Sequence, residues 1–326
     1  MRIEIWADMI CAWAGIGRRR LESALAAWDG EPVEVVWRPY LIDPSAPAVA
    51  TPMEELLRDP AADEALRACA PGLTPAGNRV RVSEVAAGEG IAPWTGSAWR
   101  TRSHDAHRLI VLAHEHGGAA LQDAVAQQVL AAVFSRGEDI GSPDVLAHAA
   151  RAAGFDQGPG LLAHGDGADE VRELLLVGKA RGVATSPTFV VNGLALAGAQ
   201  SSATILAFLT EAAGHVQRRL PAEVERLRHA ESLLDRRDPL GALTLLKPLL
   251  AEHGEDRGLR LLAARAYYAS AQLGRAAAAL TELAAQTPDD SYVRHLLGRT
   301  LQRQGKAEQA APHLAMAAAM TPEYAG

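Results

Sequence analysis

Polar and apolar residues alternate over Arg2-Ile3-Glu4-Ile5-Trp6-Ala7, the period of a strand with one covered face. Val33-Glu34-Val35-Val36-Trp37-Arg38-Pro39-Tyr40-Leu41-Ile42 predicts a second strand. Between them Ile16, Leu21, Leu25 and Trp28 form a helical stripe. The opening is therefore a β-α-β unit, and its two strands should be parallel. Helical patterning follows over 103–116, 119–134, 143–153 and 168–181. Thr188-Phe189-Val190-Val191-Asn192-Gly193-Leu194-Ala195-Leu196-Ala197-Gly198 then predicts a strand, an Asn-Gly turn and a strand. A last helix is expected over 202–213. The pattern describes an α/β domain over about 1–216 with a helical insertion over about 52–181.

From about residue 223 the pattern repeats every 34 residues: Ala242, Ala276 and Ala310 keep that spacing, and so do Leu246, Leu280 and Leu314. Gly254, Pro288 and Pro322 close the copies. Leu297-Gly298, Leu301, Gly305, Ala310, Leu314, Ala317 and Pro322 give the clearest copy, and their order of small and large residues resembles the tetratricopeptide repeat. The first copy is degenerate, with His229-Ala230 where Leu-Gly is usual. The resemblance implies an all-α region over 217–326, about three antiparallel helix pairs, with small residues where helices approach closely. Such arrays generally bind peptide segments in a concave face, so protein or peptide clients are expected. The sequence alone shows no positive cluster that would favour an acidic C-terminal peptide.

Charge sharpens the division. Residues 1–216 carry 17 Lys and Arg against 26 Asp and Glu, a net −9, whereas 217–326 carry 15 against 13, a net +2. Neither is a basic surface of the kind that binds nucleic acid. No apolar run is long enough to span a membrane. With only Cys11 and Cys69 and no leader-like start, the expected compartment is the cytoplasm, where thiols stay reduced.

The candidate chemistry lies in Cys11-Ala12-Trp13-Ala14, where a strand runs into a cysteine and a helix begins. "WADMICAWAGIGRRRLESAL" resembles the opening of the FrnE-like branch of the DsbA family, which carries Cys-Pro-Trp-Cys there. "DAHRLIVLAHEHG" resembles that branch's insertion helix, and "GVATSPTFVVNGLALAGAQ" its proline loop and hairpin. The resemblance covers about residues 1–214 and implies a thioredoxin fold. It implies that Cys11 is a thiolate nucleophile, partly exposed and stabilised by a helix N-terminus. It also implies that Pro187 is cis and faces Cys11, with the Ser186 backbone offered to an extended peptide or a thiol tripeptide, and that Trp13 walls the thiol. Ala14 stands where the family has its resolving cysteine, so a disulfide between positions 11 and 14 is impossible. Cys69 is either a buried small apolar residue or a substitute resolving thiol.

Three readings of Cys11 stay open. It is a monothiol nucleophile whose mixed disulfide a small thiol such as glutathione or mycothiol resolves; or it helps bind such a thiol for isomerase or transferase chemistry; or it has no redox turnover. No bound cofactor is expected beyond that thiol. A thioredoxin-type domain joined to such repeats also resembles the chaperedoxin plan, which implies a chaperone or holdase. Trp94, Trp99 and Phe134 either fill the core or line a small-molecule pocket. Arg18, Arg19 and Arg20 predict a solvated helix face. His104, His107, His114 and His116 lack ligand spacing, and no metal is expected.

Overall fold

The structure is a computed structural model, and it describes residues 1–58, 72–215 and 220–325. Cys69 lies outside the described residues. The chain divides into two units, one of residues 1–178 with 183–218, the other of 179–182 with 219–326.

In the first unit, β1 (Arg2–Ala7) leads into α1 (Ala12–Ala26) and then β2 (Glu34–Pro39). The expected parallel pairing forms, with Ile3 opposite Val35 and Trp6 opposite Arg38. β3 (Thr51–Pro52) and β4 (Trp99–Arg100) form a separate two-stranded ribbon. α2 (Met53–Leu56) and α3 (Pro75–Gly88) lie between them. α4 (His104–Phe134) joins the two expected helices, interrupted at Gly118 by φ 69° and ψ −166°. α5 (Pro143–Ala152), α6 (Gly158–His164) and α7 (Ala168–Ala180) follow, then β5 (Thr188–Val191), β6 (Leu194–Ala197) and α8 (Ser202–Gly214). The sheet order is β2-β1-β5-β6, a thioredoxin fold carrying a helical insertion. Asn192 and Gly193 take φ 46° and 82°, as a tight hairpin turn requires.

Long-range polar contacts lock this frame. The fully buried Gln122 of α4 accepts the Trp37 N–H at 2.9 Å and donates to the Trp37 carbonyl at 3.0 Å, so it satisfies the open edge of β2. Arg18 makes a two-pronged pair with Asp123 of α4 at 2.7 and 2.8 Å, and Arg20 reaches Glu89 at 2.6 Å and the Ala199 carbonyl at 2.7 Å. The solvated-face expectation therefore holds only for Arg19. All three guanidiniums reach partners 69 or more residues away, Arg19 through the Glu89 carbonyl at 3.1 Å, but only Arg18 and Arg20 are half-buried in doing so.

The second unit contains three helix pairs: α9 (Ala222–Asp235) with α10 (Pro239–Glu252), α11 (Arg257–Ala269) with α12 (Leu273–Gln286), and α13 (Ser291–Arg303) with α14 (Ala307–Met320). Ala242, Ala276 and Ala310 are fully buried, as are Leu246 and Leu280. Asp256 and Asp290, one period apart, cap α11 and α13 through the N–H groups of Leu259 and Val293. A Cβ on Gly298 would stand 2.6 Å from Leu314, which explains the glycine at that helix contact.

Candidate functional site

Strand direction brings the site together. β1 and β2 run parallel, so Cys11 and Tyr40 follow from the same sheet edge. β5 runs antiparallel, with Thr188 opposite Trp6, so it begins at that edge and delivers Ser186 and Pro187 there. The Ser186–Pro187 bond is cis. The Cys11 thiol donates to the Ser186 carbonyl at 3.3 Å. Gly17 makes the approach possible: a Cβ there would come within 3.0 Å of the Pro187 ring.

Cys11 is the N-cap residue of α1, with extended φ and ψ of −95° and 110°. It is only 8 % exposed, which corrects the expected partial exposure. The neighbours that cover it come from distant segments, the proline loop and the end of β2, which local sequence does not encode. Burial pushes its thiol up, the nearby Ser186 side chain and the N–H groups of Trp13 and Ala14 pull it down, and the Asp8 charge adds to the rise. Donation to a carbonyl also favours the protonated form. The resting site therefore holds a thiol rather than the expected stabilised thiolate. Tyr40 is likewise raised, by burial first and then by Asp8 and Cys11.

Ala14 is fully buried one turn along. Beside it Gly15 lies under Trp94, whose ring would be 2.4 Å from an added Cβ. A helical glycine costs about 1 kcal/mol relative to alanine, but overpacking of this kind costs about 1–3 kcal/mol, so the glycine is the better residue here. The Trp94 indole donates to the Ala12 carbonyl at 3.2 Å and lies 4.9 Å from the Phe134 ring. Trp94 and Phe134 are core residues supporting the start of α1, and Trp99 anchors to the Gly137 carbonyl at 3.1 Å. Trp13 is half-buried, with the Arg81 guanidinium 5.3 Å from its ring centre.

The sequence reading missed Asp8 and the part played by His107. Asp8 is fully buried and His107 is 2 % exposed. The Asp8 carboxylate accepts the Ile42 N–H at 2.7 Å and the Ile10 N–H at 3.4 Å, and His107 Nε2 lies 3.4 Å from it and 3.1 Å from the Tyr40 carbonyl. Both partners of that nitrogen are acceptors, so it carries the proton. The Asp8 backbone donates to Ser186 Oγ at 2.9 Å and accepts the Cys11 N–H at 3.1 Å. Asp8 is thus the hub that fixes Cys11 against the proline loop. The available signal was a lone carboxylate at the end of an apolar strand, three residues before the cysteine.

The model of the DSBA-like thioredoxin domain matches residues 2–210. The chain belongs to that family. A tetratricopeptide-repeat model matches residues 233–300 of this DSBA-like protein. Among solved structures, a probable DsbA oxidoreductase from Streptomyces coelicolor is 27% identical with a TM-score of 0.57, covering 68% of this chain and 93% of its own. A 2-hydroxychromene-2-carboxylate isomerase is 16% identical with a TM-score of 0.45, covering 66% of this chain and 95% of its own. No curated protein matches the chain. The family and the fold place this DSBA-like chain among thiol-disulfide oxidoreductase relatives, and its repeats are of a type that generally mediates protein–protein interactions. Among the described residues no helix is long and apolar enough to cross a membrane.

Proposed function

We propose that Cys11 is a single-thiol exchange site in a protein that recruits protein clients through its repeat helices. One observation carries this reading: a cysteine at the start of α1 faces the carbonyl before a cis proline, while a buried alanine stands one turn along. The Cys11 thiol first loses its proton to solvent base. Its thiolate then attacks a disulfide R–S–S–R′, forms Cys11–S–S–R and releases R′S⁻. With Ala14 in the resolving place, a second thiolate R″S⁻ attacks the sulfur of R, which returns Cys11 as thiolate and leaves R–S–S–R″. Disulfide is conserved in each step, so no further oxidant enters. A low-molecular-weight thiol, glutathione or mycothiol, fits the second role. Ser186 and Pro187 would align the incoming chain, and Trp13 would wall it.

A second reading is a holdase without redox turnover, and the burial and protonation of Cys11 favour it. Incubation of Cys69→Ser protein with glutathione disulfide separates the two. The exchange reading predicts one glutathione per chain on intact-mass analysis, formed faster at higher pH because the thiolate fraction rises, and absent when Cys11→Ser is added. An unmodified chain throughout the thiolate range leaves the holdase reading.

A further inference from the structure

The first helix pair of the second unit is closed by side chains that the other two pairs do not carry. In the last pair, Thr321 at the end of α14 donates to Ser291 at the start of α13, Oγ1 to Oγ, at 2.7 Å. Two periods earlier the same places hold His253 and Glu223. In the middle pair they hold Thr287, which turns to the Leu283 carbonyl at 2.8 Å, and Arg257. His253 is the C-cap residue of α10, and Glu223 lies in the first turn of α9. His253 Nε2 stands 3.3 Å from a Glu223 carboxylate oxygen and 3.9 Å from one of Glu252, the last residue of α10. The three donor atoms all lie within 4.8 Å of one another. Glu223 and Glu252 are 29 residues apart, so no ligand spacing marks the set in the sequence.

The backbone fixes the position of His253. Its N–H donates to the Leu249 carbonyl at 2.8 Å, and its carbonyl accepts the Asp256 N–H at 2.9 Å. A Cβ on Gly254 would stand 2.9 Å from the Leu250 carbonyl, so glycine permits the tight turn that follows. Zinc binds imidazole nitrogen and carboxylate oxygen at about 2.0–2.2 Å, which makes the edge of its tetrahedron about 3.4 Å. The separations of 3.3 and 3.9 Å lie close to that edge. One imidazole and two carboxylates supply three ligands and leave the fourth place to water. The two carboxylates carry a charge that a neutral imidazole does not offset and a divalent ion does. The last carbonyls of α10 also favour a cation at that end. Calcium and magnesium prefer sets made of oxygen alone, so the imidazole selects against them. All three side chains are exposed, so an ion reaches them directly from solvent.

We infer that Glu223, Glu252 and His253 bind one zinc ion, which fastens the start of α9 to the end of α10 and closes the first, degenerate copy of the repeat. The test uses the full chain without an affinity tag, carrying Cys11→Ser and Cys69→Ser so that neither thiol takes metal. Zinc chloride is titrated at neutral pH by calorimetry, and hydrogen exchange is followed by mass spectrometry with and without zinc. One zinc per chain should bind. Glu223→Gln on α9 and His253→Ala on α10, both at exposed positions, should each weaken it by at least about tenfold, a loss that removal of even a ligand's outer partner can cause. Zinc should slow exchange across 222–235 and 239–252 in the parent chain and leave it unchanged in the His253→Ala chain. The proposal is overturned if no zinc binds, if either variant binds it unchanged, or if exchange in α9 and α10 does not respond. Magnesium or calcium binding as tightly as zinc would also overturn it, because the site would then be an acidic surface only.

Discussion

Ala14→Cys, in a Cys69→Ser background, is expected to take the chain from no intramolecular disulfide to one. Cys11 is the N-cap residue of α1, and the Ala14 N–H bonds its carbonyl at 2.9 Å, so the two positions are held one turn apart at the start of the same helix. The Ala14 side chain is fully buried, so a sulfur added there would be enclosed by protein rather than by solvent. Overpacking of a filled site costs about 1–3 kcal/mol, which the reduced variant would show as a lower denaturation midpoint. After oxidation with glutathione disulfide, both thiols should disappear by thiol counting and no glutathione should stay on the chain, because the second cysteine displaces it. A variant that retains one glutathione per chain would show that the site has lost dithiol geometry as well as the dithiol.

Asp8→Asn is expected to change reactivity and stability in opposite directions. The Asp8 charge is one of the influences that hold the Cys11 thiol up, behind burial. Removing it lowers the pH at which the thiolate forms, and each unit of such a fall raises the thiolate fraction about tenfold at pH values below the transition. Alkylation of Cys11 at neutral pH should therefore speed up severalfold, with the whole rate–pH profile moving to lower pH. Asparagine keeps an oxygen for the Ile42 N–H but turns a donor toward the Ile10 N–H or His107 Nε2, both of which donate at this site. A buried polar mismatch of this kind costs about 1–3 kcal/mol, measurable by urea unfolding. A purely structural role for Asp8 would give the stability loss with the profile unmoved.

The sequence carried what depends on local period. Alternation placed β1, the Asn192-Gly193 turn placed the hairpin, and the 34-residue spacing of Ala242, Ala276 and Ala310 placed the helix pairs. It also placed Cys11 at the start of α1 and Pro187 before β5, each beside a strand with an unambiguous pattern. What it could not carry were pairings across long separations. Cys11 is covered by a loop 175 residues away, Arg18 is matched by Asp123, and Asp8 meets His107 from another helix.

The central claim is that Cys11 has no internal resolving partner. Its most direct test loads the wild-type chain, Cys69 included, with glutathione on Cys11, strips free thiol by gel filtration, and follows the intact mass over time. The account predicts that the adduct persists until reduced glutathione is added and is then released. Loss of the adduct without added thiol, with an intrachain disulfide in its place, would contradict it.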